Sequence, residues 1–172
     1  MKTIDLIDEN NVLTGEQVEC KEVLSKNMWH REVAIIIMNN QERIMLMKND
    51  SDLWTTATGI VESGEGPIFS AVRVVNKVFT IKVSNSDLKL LTVIKSQEDN
   101  NHSFKYYYLL KGDYKLSEIE LKNGNDTKIR SMSFDDIMEK FAKGDEVFDT
   151  FLNNDLVEII NSYKKRMIEK YD

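Results

Sequence analysis

A glycine-rich loop followed by a segment of helical periodicity lies near the middle of the sequence and limits the folds that this chain can adopt. Five residues separate Gly59 from Glu65, and seven more separate Glu65 from Arg73. Apolar side chains recur at the i, i+3, i+4, i+7 and i+11 spacing of one helix face, at Ile68, Ala71, Val72, Val75 and Phe79. Pro67 suits a first helical turn, because the N–H that proline lacks would have no helical partner there. The segment therefore predicts a loop leading into a helix that ends near Phe79 and packs its apolar stripe on a sheet.

The segments on either side of this loop and helix have the composition of strands. Val33–Met38 and Arg43–Lys48 are rich in isoleucine and methionine and flank a polar turn. They predict a hairpin whose first arm is buried on both faces. A second pair, Leu88–Lys95 and Ser103–Leu110, predicts a hairpin with a loop over 97–101.

The rest of the chain adds short elements at both ends. The predictions are an opening hairpin of Ile4–Asp8 and Val12–Gly15, a helix over Glu16–Lys26, a strand over Lys128–Met132, and helices over Ser133–Lys143 and Asn154–Lys170. This mixed order predicts an α/β fold in a single domain, residues 1–172, built as an α/β/α sandwich with a mixed sheet. Its predicted parts are an N-terminal hairpin and helix (1–31), a core (32–132) and C-terminal helices (133–172).

Composition excludes several classes of function. The net charge of -6 opposes binding to a nucleic acid polymer, because such affinity comes from basic groups that displace counterions. The longest apolar run, Val33–Met38, is too short for a membrane span, and the first five residues lack the apolar segment of a secretory signal. We therefore expect a cytoplasmic protein with no membrane partner. The single cysteine, Cys20, has no partner for an internal disulfide and is expected to be an inert thiol.

The spacing of Gly59, Glu65 and Arg73 resembles the first half of the signature of the Nudix family. A second set of motifs resembles the opening of the Nudix branch related to isopentenyl-diphosphate isomerase: Asp5–Asn10, Gly15 and Trp29–Arg31. Together the motifs cover residues 4–81. The resemblance implies a Nudix-type fold. In working members of the family, glutamates on the helix hold magnesium ions against a diphosphate.

The second half of the family signature is replaced in this chain. In the family, a glutamate follows the arginine, and after two further residues comes a glutamate pair; those places hold Val74, Lys77 and Val78. Valine offers no oxygen and lysine carries the wrong charge, whereas magnesium requires hard oxygen ligands. The resemblance therefore implies a degenerate box, and we expect neither a metal nor another cofactor.

A rebuilt magnesium site is the alternative. Glu62 and Glu65 are weak candidates as metal ligands, joined by Glu98 or Asp99 from the second hairpin. Such a site would allow pyrophosphate hydrolysis with magnesium.

Isomerase activity is not expected. The isomerase needs a cysteine nucleophile and a histidine-rich metal site, and the corresponding places hold Thr58 and Ile60. Only His30 matches a histidine of that branch.

The retained residues of the signature have a structural interpretation. Gly59 and Gly64 permit backbone turns in the loop, and the Glu65 carboxylate lies where it can pair with Arg73 and tie the loop to the helix. Glu65 is also a weak candidate for a catalytic group. Arg73 and Lys77 lie one helical turn apart and are candidates to bind a phosphorylated ligand through fixed positive charge. The alternative is that the Lys77 side chain is simply exposed to solvent and has no role in binding.

Val74 and Val78 also lie one helical turn apart, on a face that is open and acidic in the family. Two valines there indicate that this face is covered, either by a loop of the same chain or by a second copy of the protein in a homodimer.

Two functions of different class are consistent with these residues. The first is binding of a diphosphate-containing small molecule with little or no hydrolysis. The alternative is an active Nudix pyrophosphohydrolase with a rearranged magnesium site, acting on a nucleoside diphosphate derivative. The residues are thus consistent with an enzyme and with a non-catalytic binding protein.

Overall fold

A mixed sheet of seven strands forms the centre of the fold. The computed structural model describes residues 2–115, 118–122, 128–145 and 147–171. The strands are β1 (Thr3–Ile7), β2 (Leu13–Glu19), β3 (His30–Met38), β4 (Arg43–Lys48), β5 (Trp54–Thr55), β6 (Ala57–Ile60), β7 (Leu88–Glu98), β8 (Asn101–Lys111) and β9 (Ile129–Ser133). The helices are α1 (Cys20–Ser25), α2 (Pro67–Val78), α3 (Phe134–Ala142) and α4 (Thr150–Tyr171).

Strand β3 lies at the centre of the sheet, whose strand order is β5-β4-β3-β8-β7. Strand β6 also pairs with β3, and β9 pairs with β4. Strands β3 and β8 are parallel, whereas the other pairs in this sheet are antiparallel. Alternate residues of β3 enter two different cores, which explains its unbroken apolar run. Val33, Ile35 and Ile37 pack with α2, and Ala34, Ile36 and Met38 pack with α3 and α4. The predicted α/β/α sandwich with a mixed sheet is confirmed.

Helix α2 lies close to its predicted bounds. Its stripe behaves as predicted, because Ala71, Val75 and Phe79 are buried, and Ile68 and Val72 pack against the same core cluster. Helix α3 also matches its prediction, with the Ser133 hydroxyl accepting a hydrogen bond from the backbone N–H of Asp136.

The N-terminal segment forms a two-stranded sheet of its own, with a small core of Ile4, Leu6 and Val23. The predicted hairpin is confirmed, but the helix predicted over Glu16–Lys26 is wrong in its first part. Strand β2 continues to Glu19, which pairs with Thr3, and the helix is limited to α1. Pairing with β1 thus overrides the local helical spacing.

Two further bounds differ from the predictions. The loop predicted over 97–101 is reduced to Asp99 and Asn100, because β7 and β8 pair as far as Glu98 and Asn101. Helix α4 begins at Thr150, four residues before the predicted start. Among the helices described, none combines the length and apolar character that a membrane span requires.

Candidate functional site

The loop between β6 and α2 is tied to the helix by one carboxylate. Arg73 donates from Nε to Glu65 Oε1 at 2.8 Å and from Nη2 to Glu65 Oε2 at 3.0 Å. Glu65 Oε2 also accepts hydrogen bonds from the Ser70 hydroxyl and from the backbone N–H of Glu62. Burial alone would raise the pKa of Glu65, but the hydrogen bonds from Arg73, Ser70 and Glu62 lower it overall. The predicted contact between Glu65 and Arg73 is therefore present, as a bidentate ion pair.

The two loop glycines serve different purposes. Gly64 has a φ of 81°, in the left-handed region that glycine adopts without strain, as predicted for a turn. Gly59 does not have a positive φ and lies within strand β6, so the prediction that it permits a turn is wrong. A Cβ atom at position 59 would lie 2.5 Å from Val74 Cγ2, so glycine is needed there to make room for α2.

The side chains of Val74, Lys77 and Val78 occupy different environments. The side chain of Val74 is buried, with 4% exposure, in the core cluster beneath α2. Val78 is half-buried and packs against the same cluster, whereas Lys77 is exposed. The chain itself therefore covers Val74.

A cavity of about 240 Å³ lies against this part of α2, and we refer to it as the α2 cavity. It is lined by Lys2, Ile4, Cys20, Thr58, Gly59, Ile60, Glu62, Arg73, Val74, Lys77 and Val78. The N-terminal segment thus forms one wall. It is held against the loop by hydrogen bonds from the Ser63 N–H to the Thr3 carbonyl at 2.8 Å and from the Gly64 N–H to Asp5 Oδ2 at 2.9 Å.

Among the charged side chains that line the α2 cavity, basic ones outnumber acidic ones. Lys2, Arg73 and Lys77 face one acidic lining residue, Glu62. Glu62 Oε1 lies 3.1 Å from Lys2 Nζ and 3.5 Å from Arg73 Nη1. The cavity is thus suited to an anionic group. The Glu62 carboxylate already occupies part of the space between the cations where such a group would bind.

A magnesium ion does not fit this lining. Magnesium needs a near-octahedral set of oxygen ligands, and among the described residues that line the α2 cavity only Glu62 brings a carboxylate. The other candidate, Glu65, is held by Arg73, and Glu98 lines a different cavity. Across the described parts of the chain, no three histidine, cysteine, aspartate or glutamate side chains are grouped to hold a metal ion.

A second cavity, of about 370 Å³, is called here the Lys105 cavity. It is lined by Glu32, Thr58, Gly59, Ile60, Glu98, Asn101, Lys105 and Asp149. Strand β6 therefore contributes Thr58–Ile60 to both cavities. The lining of this one carries more acidic than basic side chains.

A buried polar network stands beside the Lys105 cavity. His30 is 1% exposed; its Nδ1 lies 2.8 Å from the Met28 carbonyl oxygen and its Nε2 lies 3.0 Å from Glu32 Oε1. A carbonyl and an ionised carboxylate accept hydrogen bonds, so these two contacts favour the protonated ring, which donates from both nitrogens. Burial by itself would lower the pKa of His30, but hydrogen bonds to Glu32 and Met28 raise it overall. The Ser103 hydroxyl donates to Glu32 Oε2 at 3.2 Å.

A buried ion pair continues the network. Lys105 Nζ lies 3.8 Å from Asp155 Oδ2, and the Tyr107 hydroxyl donates to the same oxygen. Burial raises the pKa of Asp155, and burial together with the neighbouring carboxylate raises the pKa of Tyr107. These charges are retained in the interior because they are paired and hydrogen-bonded.

Sequence reasoning missed this network and the contribution of Lys2. A signal for the network exists, because polar residues recur two apart in both strands, at His30 and Glu32 and at Ser103 and Lys105. No such signal exists for Lys2. The second histidine, His102, lies in β8, where its ring stacks on Trp29 with centroids 4.8 Å apart.

Solved structures resemble the chain over most of its length. No protein-family model matches the sequence, and no curated protein does. The crystal structure of DR0079 from Deinococcus radiodurans has a TM-score of 0.71 and 18% identity, covering 94% of this chain and 99% of DR0079. A MutT protein from Methanosarcina mazei Go1 has a TM-score of 0.62 and 12% identity, covering 79% of this chain and 96% of its own. A MutT from Aliivibrio salmonicida or Vibrio cholerae has a TM-score of 0.57 and 18% identity. The match covers 77% of this chain and 98% of that MutT chain. At these identities the likeness shows that the chain shares their fold.

Proposed function

We propose, from the premise that this chain has the Nudix fold, that it binds the diphosphate group of a small molecule in the α2 cavity without magnesium-dependent hydrolysis. The observation that carries the proposal is the lining of that cavity. Lys2, Arg73 and Lys77 approach it from two separate parts of the chain, since Lys2 directly precedes β1 and the other two residues lie on α2. Charge-assisted contacts from ammonium and guanidinium groups are the usual means of holding a phosphate.

The lysines are better placed than Arg73 to bind the ligand. Arg73 already uses Nε and Nη2 on Glu65, and Nη2 also donates to the Ile60 carbonyl at 3.1 Å. Its Nη1 faces Glu62. Lys77 is exposed on α2, and the Lys2 side chain is 59% exposed. Both ammonium groups can therefore move toward a ligand, while Arg73 keeps the loop in position.

Hydrolysis is not proposed because the side chains offered by α2 do not suit it. Cleavage of a diphosphate is assisted chiefly by metal ions that neutralise its charge and activate water. Val74 and Val78 present hydrocarbon, and Lys77 presents an ammonium group that attracts a phosphate but repels a cation. This lining supports binding of an anion rather than of a metal–diphosphate complex.

Calorimetric titration of the purified protein with inorganic pyrophosphate, without divalent metal, tests the proposal. We expect binding of one pyrophosphate per chain that weakens as salt is added. Lys2→Ala and Lys77→Ala should each weaken binding by roughly three- to tenfold, by removing one partly screened charge contact. Lys164→Ala removes an exposed lysine from α4, on the other side of the sheet, and is the matched control.

Two results would overturn the proposal. One is an absence of pyrophosphate binding by the unmodified protein at millimolar concentration. The other is release of phosphate from nucleoside diphosphate derivatives that requires magnesium or manganese. The second result would favour the alternative, a pyrophosphohydrolase with a rearranged metal site.

A further inference from the structure

We infer that Glu62 is an internal competitor for the phosphate group and thereby sets which anions the α2 cavity accepts. The inference rests on the proposed function, because it concerns the same cavity. It assigns the role of a specificity determinant to Glu62, a loop residue between Gly59 and Glu65 that is not one of the fixed positions of the family signature.

The position of the Glu62 carboxylate supports this role. Its Oε1 lies 3.1 Å from Lys2 Nζ and 3.5 Å from Arg73 Nη1, so it bridges two of the cations that line the cavity. The Glu62 side chain is 26% exposed, within the cavity lining. A phosphate oxygen between the same two cations would have to take the place of this carboxylate, since two anions that close repel each other.

The backbone of Glu62 is anchored, whereas its side chain can move. The Glu62 N–H donates to Glu65 Oε2 at 3.2 Å, and the Glu65 N–H donates to the Glu62 carbonyl at 3.1 Å. The carboxylate, by contrast, is held by ion pairs with the long side chains of Lys2 and Arg73. Partly exposed pairs of this kind are weak. Glu62 can therefore leave the cations without any change in the loop backbone.

An internal carboxylate discriminates among anions by charge. An anion of low charge gains little more from Lys2 and Arg73 than Glu62 already gains, so it displaces Glu62 poorly. A diphosphate brings several negative charges and can contact Lys77 as well. The cavity should therefore prefer a diphosphate to orthophosphate, and removing the Glu62 charge should reduce this preference.

The test is a calorimetric comparison of the unmodified protein with Glu62→Gln, using inorganic pyrophosphate and then orthophosphate, without divalent metal. Removal of the competing charge should raise the affinity for pyrophosphate by about tenfold and the affinity for orthophosphate by more. In a Lys2→Ala background the gain from Glu62→Gln should shrink, because the competition is for Lys2. Glu169→Gln makes the same change in net charge on α4 and should leave both affinities unchanged.

Two results of this comparison would contradict the inference, and they differ in what they imply for the proposed function. Pyrophosphate binding by the unmodified protein, with equal or weaker binding by Glu62→Gln, would overturn this inference and leave the proposed function standing. An absence of binding by both proteins would overturn the two together. Glu62→Ala, checked by its melting temperature, removes the carboxylate in a second way, so a folding defect in one variant does not decide the result.

Discussion

Gly59 in β6 and Val74 in α2 are packed so closely that a methyl group on Gly59 would come within 2.5 Å of Val74 Cγ2. Val74 is 4% exposed and belongs to the core on this side of the sheet. The volumes of Gly59 and Val74 are thus matched to each other. The contact positions α2 beside the β6 backbone, where the α2 cavity is formed.

Gly59→Ala is expected to lower the free energy of unfolding by about 1–3 kcal/mol, because the new methyl group overpacks the contact with Val74. Val74→Ala alone should also destabilise, by loss of buried hydrocarbon. In the double variant the alanine at position 59 gains space, so the combined loss should be smaller than the sum of the two. Urea denaturation of the four proteins measures this coupling, and strictly additive losses would contradict the packing argument.

Glu65→Gln is expected to destabilise the protein while leaving pyrophosphate binding largely intact. The substitution removes the charge that Arg73 contacts through two nitrogens, and a charge-assisted hydrogen bond of this kind contributes about 1.5–3 kcal/mol. The melting temperature and a pyrophosphate titration, measured on the same preparation, separate stability from binding. Loss of binding with an unchanged melting temperature would indicate that Glu65 serves the ligand directly.

The His30–Glu32 pair predicts a stability optimum in mildly acidic solution. The pKa of His30 is raised from its ordinary value of 6.5, so its contribution is complete below 6.5 and is lost as the pH rises through the folded value. Burial would raise the pKa of Glu32, but the hydrogen bond from His30 and the nearby charges of His30 and Lys105 lower it from 4.5. The Glu32 contribution is therefore complete above 4.5 and is lost as the pH falls through the folded value.

Between pH 4.5 and 6.5 both contributions are present, so the free energy of unfolding should be greatest there as far as this pair is concerned. Urea denaturation at a series of pH values measures the profile. Glu32→Gln removes the main group that raises the pKa of His30, so the decline above pH 6.5 should disappear in this variant. A decline of equal size in both proteins would show that another group causes it.

Carboxylates introduced on α2 are expected to create magnesium affinity at positions 77 and 78 but not at position 74. Lys77 is exposed and Val78 is half-buried, so Lys77→Glu with Val78→Glu should fold and bind magnesium more tightly than the unmodified protein in a calorimetric titration. Addition of Val74→Glu should impair folding, because it places a carboxylate in a buried site against Gly59. Equal magnesium binding by the unmodified protein would contradict our account of the cavity.

Much of the fold was predictable because its signals are local. The unbroken apolar run of β3, the helical stripe of α2 and the Ser133 cap of α3 each depend on residues close together in the chain. The errors occurred where distant residues decide the outcome. Strand β2 extends to Glu19 because this residue pairs with Thr3. The β7–β8 hairpin is longer than predicted because its two strands remain paired as far as Glu98 and Asn101.

The candidate site divides in the same way between sequence and structure. The amino-acid sequence was enough to show that α2 carries valine at positions 74 and 78 and lysine at position 77, and that Glu65 stands at a spacing from which it reaches Arg73. These are properties of residue type and of helical geometry, which need no distant contact. Only the tertiary structure brought Lys2 to the α2 cavity, paired it with Glu62 and assembled the charges around Lys105. Those arrangements depend on which strands are neighbours in the fold. The packing of the whole chain around its two cores determines this, and no local sequence pattern shows it.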